Sequence, residues 1–173
     1  MSSDLLARAR AGDAGAFEAV LRPLIEPGYR LAFALLRQRE AAEDAVQEAA
    51  LRAWRSRAKI RPELGTVRPW FLAIVANQGR MARRSRWWSV LRYGVMPEPR
   101  GPGDDLETGF DLRLAIERLP HRDRLLVHLY FALDLPVAEV AQVLGIGVGA
   151  TKSRLHRVVR RLRPELDPQE VLT

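Results

Sequence analysis

The sequence contains no cysteine, which excludes disulfide bonds and any metal site built on thiolates. Histidine is scarce, and His121, His128 and His156 are too scattered for a zinc or haem site, so no cofactor is expected. Lysine is nearly absent, with Lys59 and Lys152 the only two. No apolar run approaches the roughly 20 residues that span a bilayer, and the first residues lack the apolar core of a signal peptide. These absences predict a cytoplasmic protein without membrane insertion.

Positive charge is what the chain has in excess. Its 28 Lys and Arg against 21 Asp and Glu give a formal net charge of +7, while a hydrophobic fraction of 47% is enough to build a core. This balance favours a polyanionic partner, nucleic acid before membrane. The cations are nearly all arginine, which binds phosphate and guanine in bidentate fashion, although a GC-rich genome would produce the same bias.

Residues 87–109 differ in composition from the rest of the chain. They hold 2 basic against 4 acidic residues and concentrate proline and glycine, so we interpret them as a flexible acidic linker. On both sides of the linker, apolar residues recur at helical spacing and no period-two alternation occurs. The sequence therefore predicts an all-α fold of two small helical domains, 1–86 and 110–173.

The N-terminal domain is predicted to contain four helices. Apolar residues between 17 and 21 follow helical spacing, and Pro27-Gly28 predicts an interruption before the next apolar helix. A third helix begins near Glu40 and has an alanine-rich stripe opposite a charged face. The fourth starts near Pro69 and changes along its length from apolar to cationic.

The C-terminal domain contains the pattern of a helix-turn-helix motif. Pro136 opens a short helix, Gly145 ends it in the left-handed conformation, and Ile146 fills the core at the turn. A second helix follows from about Val148 to Leu162. Its predicted buried stripe consists of Leu155, Val158, Val159 and Leu162.

The opposite face of this second helix is cationic, and no acidic residue occurs between Ala150 and Arg163. In the helix-turn-helix geometry, the first half of the second helix faces base edges in the major groove. The predicted base contacts are Lys152, Ser153, Arg154, His156 and Arg157. The predicted phosphate contacts further along are Arg160, Arg161 and Arg163.

Five segments carry a family resemblance. The N-terminal three are RAGDAGAFEAVL, AEDAVQEAALRAW and RPWFLAIVANQGRMARRSR, and the C-terminal two are LPHRDRLLVHLYFALDLPVAEVAQ and LGIGVGATKSRLHRVVRRL. In this order they resemble the extracytoplasmic-function (ECF) class of sigma-70 RNA polymerase sigma factors, over nearly all of residues 4–166. The resemblance implies a DNA-binding specificity subunit, not an enzyme, that directs promoter recognition and transcription initiation while docked on polymerase.

The same resemblance assigns roles to individual residues. Asp44, Gln47 and Glu48 correspond to the contact with the clamp coiled coil of the largest polymerase subunit, and the flap is a further expected partner. The C-terminal domain corresponds to the reader of the −35 element. The N-terminal domain corresponds to the element that melts and binds the −10 region, with a base pocket in the loop from Ser56 to Thr66. Its expected DNA contacts are Asn77, Arg80, Arg83, Arg84, Arg86 and Trp70, while Trp70, Phe71 or both are expected in the core.

Three positions depart from the family pattern. Gly147 stands where the turn usually carries serine. Thr151 replaces a usual aliphatic residue, which predicts a slightly different position for the recognition helix, the second helix of the motif. Gly79 lies inside a predicted helix at a cost of about 1 kcal/mol relative to alanine. It either lets the backbone approach DNA or is merely tolerated.

The linker is expected to be too slack to align the two domains by itself. Its 23 residues reach at most about 80 Å when extended but span only about 25–30 Å as a coil. Promoter elements two helical turns apart are separated by roughly 70 Å, so polymerase is expected to spread the domains. The negative charge of the linker indicates that it occupies a cationic channel normally used by nucleic acid. The resemblance also raises a possible anti-sigma partner.

Two other classes of function remain open from the sequence. One is a conventional helix-turn-helix regulator that binds duplex DNA without polymerase. The other is an enzyme, since Glu43, Asp44 and Glu48 form a carboxylate cluster, but no nucleotide, metal or nucleophile motif accompanies it.

Overall fold

A computed structural model describes residues 3–61, 66–93 and 107–166, and in those ranges it contains helices and turns but no strand. The chain divides into two compact units, Met1–Arg100 and Gly101–Thr173. The first unit contains the helices α1 (Ser3–Ala11), α2 (Ala14–Leu36), α3 (Arg39–Arg55) and α4 (Arg68–Tyr93). The second contains the helices α5 (Glu107–Arg118), α6 (His121–Val127), α7 (Val137–Leu144) and α8 (Val148–Leu166). The prediction of an all-α fold is confirmed.

Helix α2 begins at a well-capped end. Asp13 Oδ1 accepts a hydrogen bond from the Ala16 N–H at 2.9 Å, and Oδ2 accepts one from the Arg8 guanidinium at 2.7 Å. Both contacts hold the pKa of the Asp13 carboxyl below its usual range, and the hydrogen bond from the Ala16 backbone contributes most. Gly12 precedes the cap with φ +104°, a conformation that L side chains rarely adopt, so the turn between α1 and α2 requires glycine.

Helix α2 is continuous, so the interruption predicted at Pro27-Gly28 is wrong. Pro23 and Pro27 both lie inside the helix. The buried stripe keeps its helical period across both prolines, through Phe17, Val20, Leu21, Leu24, Gly28, Leu31, Ala32 and Leu35. Because α2 packs against α1, α3 and α4, burial of this stripe offsets the roughly 3 kcal/mol that an interior proline costs.

Two glycines allow α2 and α4 to approach closely. A Cβ atom on Gly28 would lie 3.0 Å from Phe71 Cε1 and 3.4 Å from Val75 Cγ2. A Cβ atom on Gly79 would lie 3.1 Å from Leu35 Cδ1. Gly79 therefore serves the packing of two helices, which is neither of the roles expected from the sequence.

Replacing Gly28 by valine is expected to destabilise the protein by about 1–3 kcal/mol, because the added methyl groups must displace the fully buried Phe71 ring. Gly15→Val provides the control, since Gly15 is exposed on the same helix and a Cβ there meets only Asp13 Oδ1 at 3.5 Å. Its stability should stay within about 0.5 kcal/mol of the parent protein. Urea unfolding measures both, and equal midpoints for the two variants would contradict the close packing.

The second unit is built around helix α8. Leu119, Val127, Val158 and Leu162 form a buried cluster, with the half-buried side chains of α5 packed against it. Helix α6 continues into a π-helical turn, His128–Ala132, before the chain reaches α7. Helix α8 contacts α5, α6 and α7, so its orientation is fixed from three sides.

Helical structure enters the range predicted for the linker at both of its ends. Helix α4 extends through Tyr93 and helix α5 starts at Glu107, so both enter the predicted range of 87–109. For α4 the reason is that the first helix-breaking residue after Arg86 is Gly94. Residues 94–106 lie outside the described residues.

Candidate nucleic-acid interface and docking face

Helix α8 turns a cationic surface toward solvent. Its exposed polar residues are Lys152, Ser153, His156, Arg157, Arg160, Arg161 and Arg163. Thr151, Val158 and Leu162 face the other way and are buried. Because no acidic residue occurs between Ala150 and Arg163, the exposed face presents cations and hydrogen-bond donors without a carboxylate of its own.

The turn before α8 has the geometry predicted for it. Gly145 adopts the left-handed conformation with φ +67°, and the Ile146 N–H donates back to the Ala141 carbonyl at 3.1 Å. Gly147 offers no side chain as a cap, but its carbonyl accepts hydrogen bonds from the Thr151 N–H at 2.9 Å and the Thr151 Oγ1 at 3.0 Å. Thr151 is only 1% exposed, and its hydroxyl has its hydrogen bond satisfied.

Val159 departs from its predicted position. It is 36% exposed, so its assignment to the buried stripe is wrong. Thr151, Val158 and Leu162 keep the helical period along the inward face, with Leu155 half-buried between them, whereas Val159 lies beside this line. An apolar residue next to the stripe was mistaken for a member of it.

Arg154 also differs from the other predicted base contacts. Its Nε lies 3.2 Å from Asp123 Oδ1 on helix α6, and the two side chains are only 25% and 17% exposed. Arg154 is thus engaged within its own domain, while its neighbours Ser153 and Arg157 point to solvent.

Helix α4 has an apolar first half and a polar, cationic second half. Phe71 is completely buried and Trp70 is half-buried, so Phe71 is an aromatic of the core and Trp70 is partly accessible. The residues of the second half that reach solvent are Asn77, Arg80, Met81, Arg83 and Arg84. Arg86 lies on the same helix, but its side chain is outside the described part of the chain.

Asn77 and Arg80 are joined across one helical turn. The Arg80 guanidinium donates a hydrogen bond to Asn77 Oδ1, which leaves the Asn77 amide N–H groups as donors. Met81 stands beside them with 51% of its surface exposed, a feature that sequence reasoning missed. Its position outside the buried stripe of α4 was the available signal.

The loop that follows α3 is anchored at several points. Ile60 and Val67 are buried and hold the loop at both sides of residues 62–65, which are outside the described residues. Arg57 stacks over the Trp54 ring at 4.4 Å and donates a hydrogen bond to the Trp54 carbonyl at 3.1 Å. Arg10 of α1 donates to the Ala58 carbonyl at 3.0 Å.

Helix α3 presents a polar face with one apolar residue. Asp44 and Gln47 are exposed, and the half-buried Glu48 pairs with Arg52 at 2.9 Å. Leu51 lies on the same face at 52% exposure. Sequence reasoning missed Leu51. The available signal was helical spacing, because Asp44, Gln47, Glu48 and Leu51 stand at positions i, i+3, i+4 and i+7.

Neither a metal centre nor a membrane span is found in the part of the chain that the structure describes. No group of His, Asp and Glu side chains there could hold a metal ion. No helix there is long and apolar enough to cross a bilayer.

Comparison with known proteins matches both units to established families. Residues 17–89 match Sigma-70 region 2, and residues 110–162 match Sigma-70 region 4. Among curated proteins, the ECF RNA polymerase sigma factor SigL of Mycobacterium tuberculosis is 32% identical over 164 residues, covering 88% of this chain and 92% of SigL. RNA polymerase sigma factor SigV of Bacillus subtilis is 28% identical over 145 residues, covering 83% of this chain and 86% of SigV.

A solved structure supports the same fold. The sigma factor RpoE from Bartonella quintana, crystallised in complex with the anti-sigma factor NepR, superposes with a TM-score of 0.71 at 24% identity, covering 88% of this chain and 98% of that one. The two matched regions disfavour a regulator that binds duplex DNA without polymerase. The chain belongs to the ECF family of RNA polymerase sigma factors, which direct promoter recognition and transcription initiation.

Proposed function

We propose that this sigma factor uses three separate surfaces: the α3 face to bind core polymerase, the second half of α4 to hold melted −10 DNA, and α8 to contact the −35 duplex. The observation that supports this most is that each surface is polar and exposed while the opposite side of the same helix is buried. The proposed role of the protein is to position DNA and polymerase, without catalysis of its own.

The docking surface consists of Asp44, Gln47, Glu48 and Leu51. It has the composition of a specific protein interface, with an exposed apolar side chain surrounded by polar groups. The carboxylates favour a basic partner, for which the clamp coiled coil of the largest polymerase subunit is the candidate. The flap is the candidate partner of the second unit.

The −10 surface combines groups suited to single-stranded DNA. Arg80, Arg83 and Arg84 provide cations for the backbone, and Asn77 provides donors for a base edge. Trp70, two turns before Asn77 in the first half of α4, adds a half-buried aromatic ring. Single-stranded DNA is generally bound by such a basic groove with aromatic neighbours. The described part of the neighbouring loop, fixed by Arg57 and Ile60, would form one wall of a base pocket.

Replacing Asn77 by alanine is expected to lower open-complex formation by about five- to tenfold, since it removes the base-edge donors and the acceptor that orients Arg80. Permanganate reactivity of −10 thymines, with holoenzyme on a mapped promoter, measures the melted fraction. A template with a preformed mismatched bubble should restore most of the loss. Arg22→Ala is the control, because Arg22 is an exposed arginine on α2. Equal melting by the Asn77 and Arg22 variants would contradict the assignment.

The −35 surface is the exposed face of α8. Ser153, His156 and Arg157 lie in its first half and are proposed to contact base edges. Lys152 is proposed to contact bases with them, while Arg160 and Arg161 hold phosphates further along.

We also propose an inhibitory partner, a role for polymerase in aligning the two units, and a cellular location. RpoE of Bartonella quintana was crystallised with an anti-sigma factor, which supports a similar inhibitor for this chain. Polymerase is proposed to align the two units on the promoter, so that the protein alone binds promoters more weakly than the holoenzyme does. Because both polymerase and promoter DNA are cytoplasmic in bacteria, we propose the cytoplasm as the site of action.

A further inference from the structure

Arg154 is the one described cation of helix α8 that is not exposed on the face proposed to contact DNA. Arg154 Nε is 3.2 Å from Asp123 Oδ1, and three quarters or more of each side chain is buried. The pair joins the first turn of α6 to the first half of α8. Such a pair is screened far less by solvent than an exposed one.

The helical position of Arg154 explains why it is held. It lies one turn from Thr151 and one turn from Val158, both of which are buried against the rest of the domain. Arg154 therefore sits on the border between the inward face of α8 and its exposed face. Arg161 follows two turns later on the same border but is exposed.

We propose that Asp123 is a specificity-determining residue of −35 recognition, which acts by holding Arg154 away from DNA. This inference rests on the proposed contact between α8 and the −35 duplex. Asp123 neutralises the Arg154 charge and fixes the register of α8 against α6. The proposed base-contacting face then consists of Lys152, Ser153, His156 and Arg157, without Arg154.

The physical consequence is a difference in salt dependence. A cation that neutralises a DNA phosphate releases a counterion and contributes about 0.9 to the slope of log K against log salt. Arg154 already has a carboxylate partner, so it should contribute nothing to this slope. Without Asp123 the free guanidinium would reach the DNA backbone, adding affinity for every sequence and reducing discrimination between sequences.

The test compares four holoenzymes, assembled from core polymerase with the full chain or its variants, on duplex promoter DNA from 50 to 300 mM salt. The variants are Arg154→Met, Arg161→Met and Asp123→Asn. Arg161→Met is the matched control, because it removes the same charge from the same helix border. Circular dichroism and thermal unfolding of each free variant report whether its fold is retained.

We expect Arg154→Met to leave the slope unchanged, whereas Arg161→Met makes it shallower by about 0.9. Asp123→Asn should steepen the slope by about 0.9 and lower the preference for the native −35 element over a scrambled one severalfold. A slope that falls equally in the Arg154 and Arg161 variants would overturn the proposal. So would an Asp123→Asn holoenzyme with unchanged slope and preference.

The same experiment separates this inference from the proposed function. If the parent holoenzyme does not distinguish the native −35 element from the scrambled one, the proposed role of α8 fails. If it does distinguish them and only the Asp123 and Arg154 variants deviate from expectation, the role of the ion pair fails alone.

Discussion

Asp44→Arg is expected to weaken binding to core polymerase by at least about thirtyfold, without unfolding the protein. Asp44 is exposed in the middle of α3, so the new side chain meets no buried neighbour. On docking to a basic partner, however, it replaces an attractive charge pair by a like-charge contact, which costs several kcal/mol. Fluorescence anisotropy of labelled sigma factor titrated with core polymerase measures the dissociation constant.

Glu18→Arg is the matched control for Asp44→Arg. Glu18 is an exposed carboxylate on α2 and its side chain is 67% exposed. The substitution makes the same charge change outside the proposed docking surface, so polymerase affinity should change by less than about threefold. Retained tight binding by Asp44→Arg, or equal losses in both variants, would show that polymerase docks elsewhere.

Arg157→Ala is expected to change which base pair is preferred at one position of the −35 element. Arg157 is exposed in the half of α8 that is proposed to face base edges. A bidentate arginine contact provides about 1–3 kcal/mol of discrimination, or roughly 5- to 150-fold. Arg161→Ala removes a proposed phosphate contact instead. It should weaken all promoters similarly and leave the preference unchanged.

A randomised −35 library selected with each holoenzyme separates these two effects. The Arg157 variant should lose the preference at one position, and the Arg161 variant should return the parent preference at lower overall yield. If both variants gave the same selected sequences, the division of α8 into base and phosphate contacts would be wrong.

Much of the fold follows from local patterns that were visible in the sequence. The alanine stripe of α3 is buried, and Gly145 takes the left-handed turn, because both depend on residues close together in the chain. The continuity of α2 does not follow from local pattern. The dipeptide Pro27-Gly28 predicts a break in the helix. Only the packing of α2 against three other helices explains why Pro27 is tolerated.

The candidate site was predictable in outline but not in the pairing of its residues. Charge and helical period identified the exposed faces of α3, α4 and α8. The partnership of Arg154 with Asp123 joins residues 31 positions apart, so no spacing rule shows it. Gly79 was misjudged for the same reason, since the Leu35 side chain that it accommodates belongs to another helix.

Run-off transcription from fragmented genomic DNA tests the central claim most directly. Core polymerase is incubated with the DNA, with and without this protein, and the 5′ ends of the transcripts are mapped. We expect new start sites that appear only with the protein and share two upstream elements at constant spacing. A protein that binds core polymerase but produces no new start sites, or sites without shared elements, would contradict the claim that it directs promoter recognition.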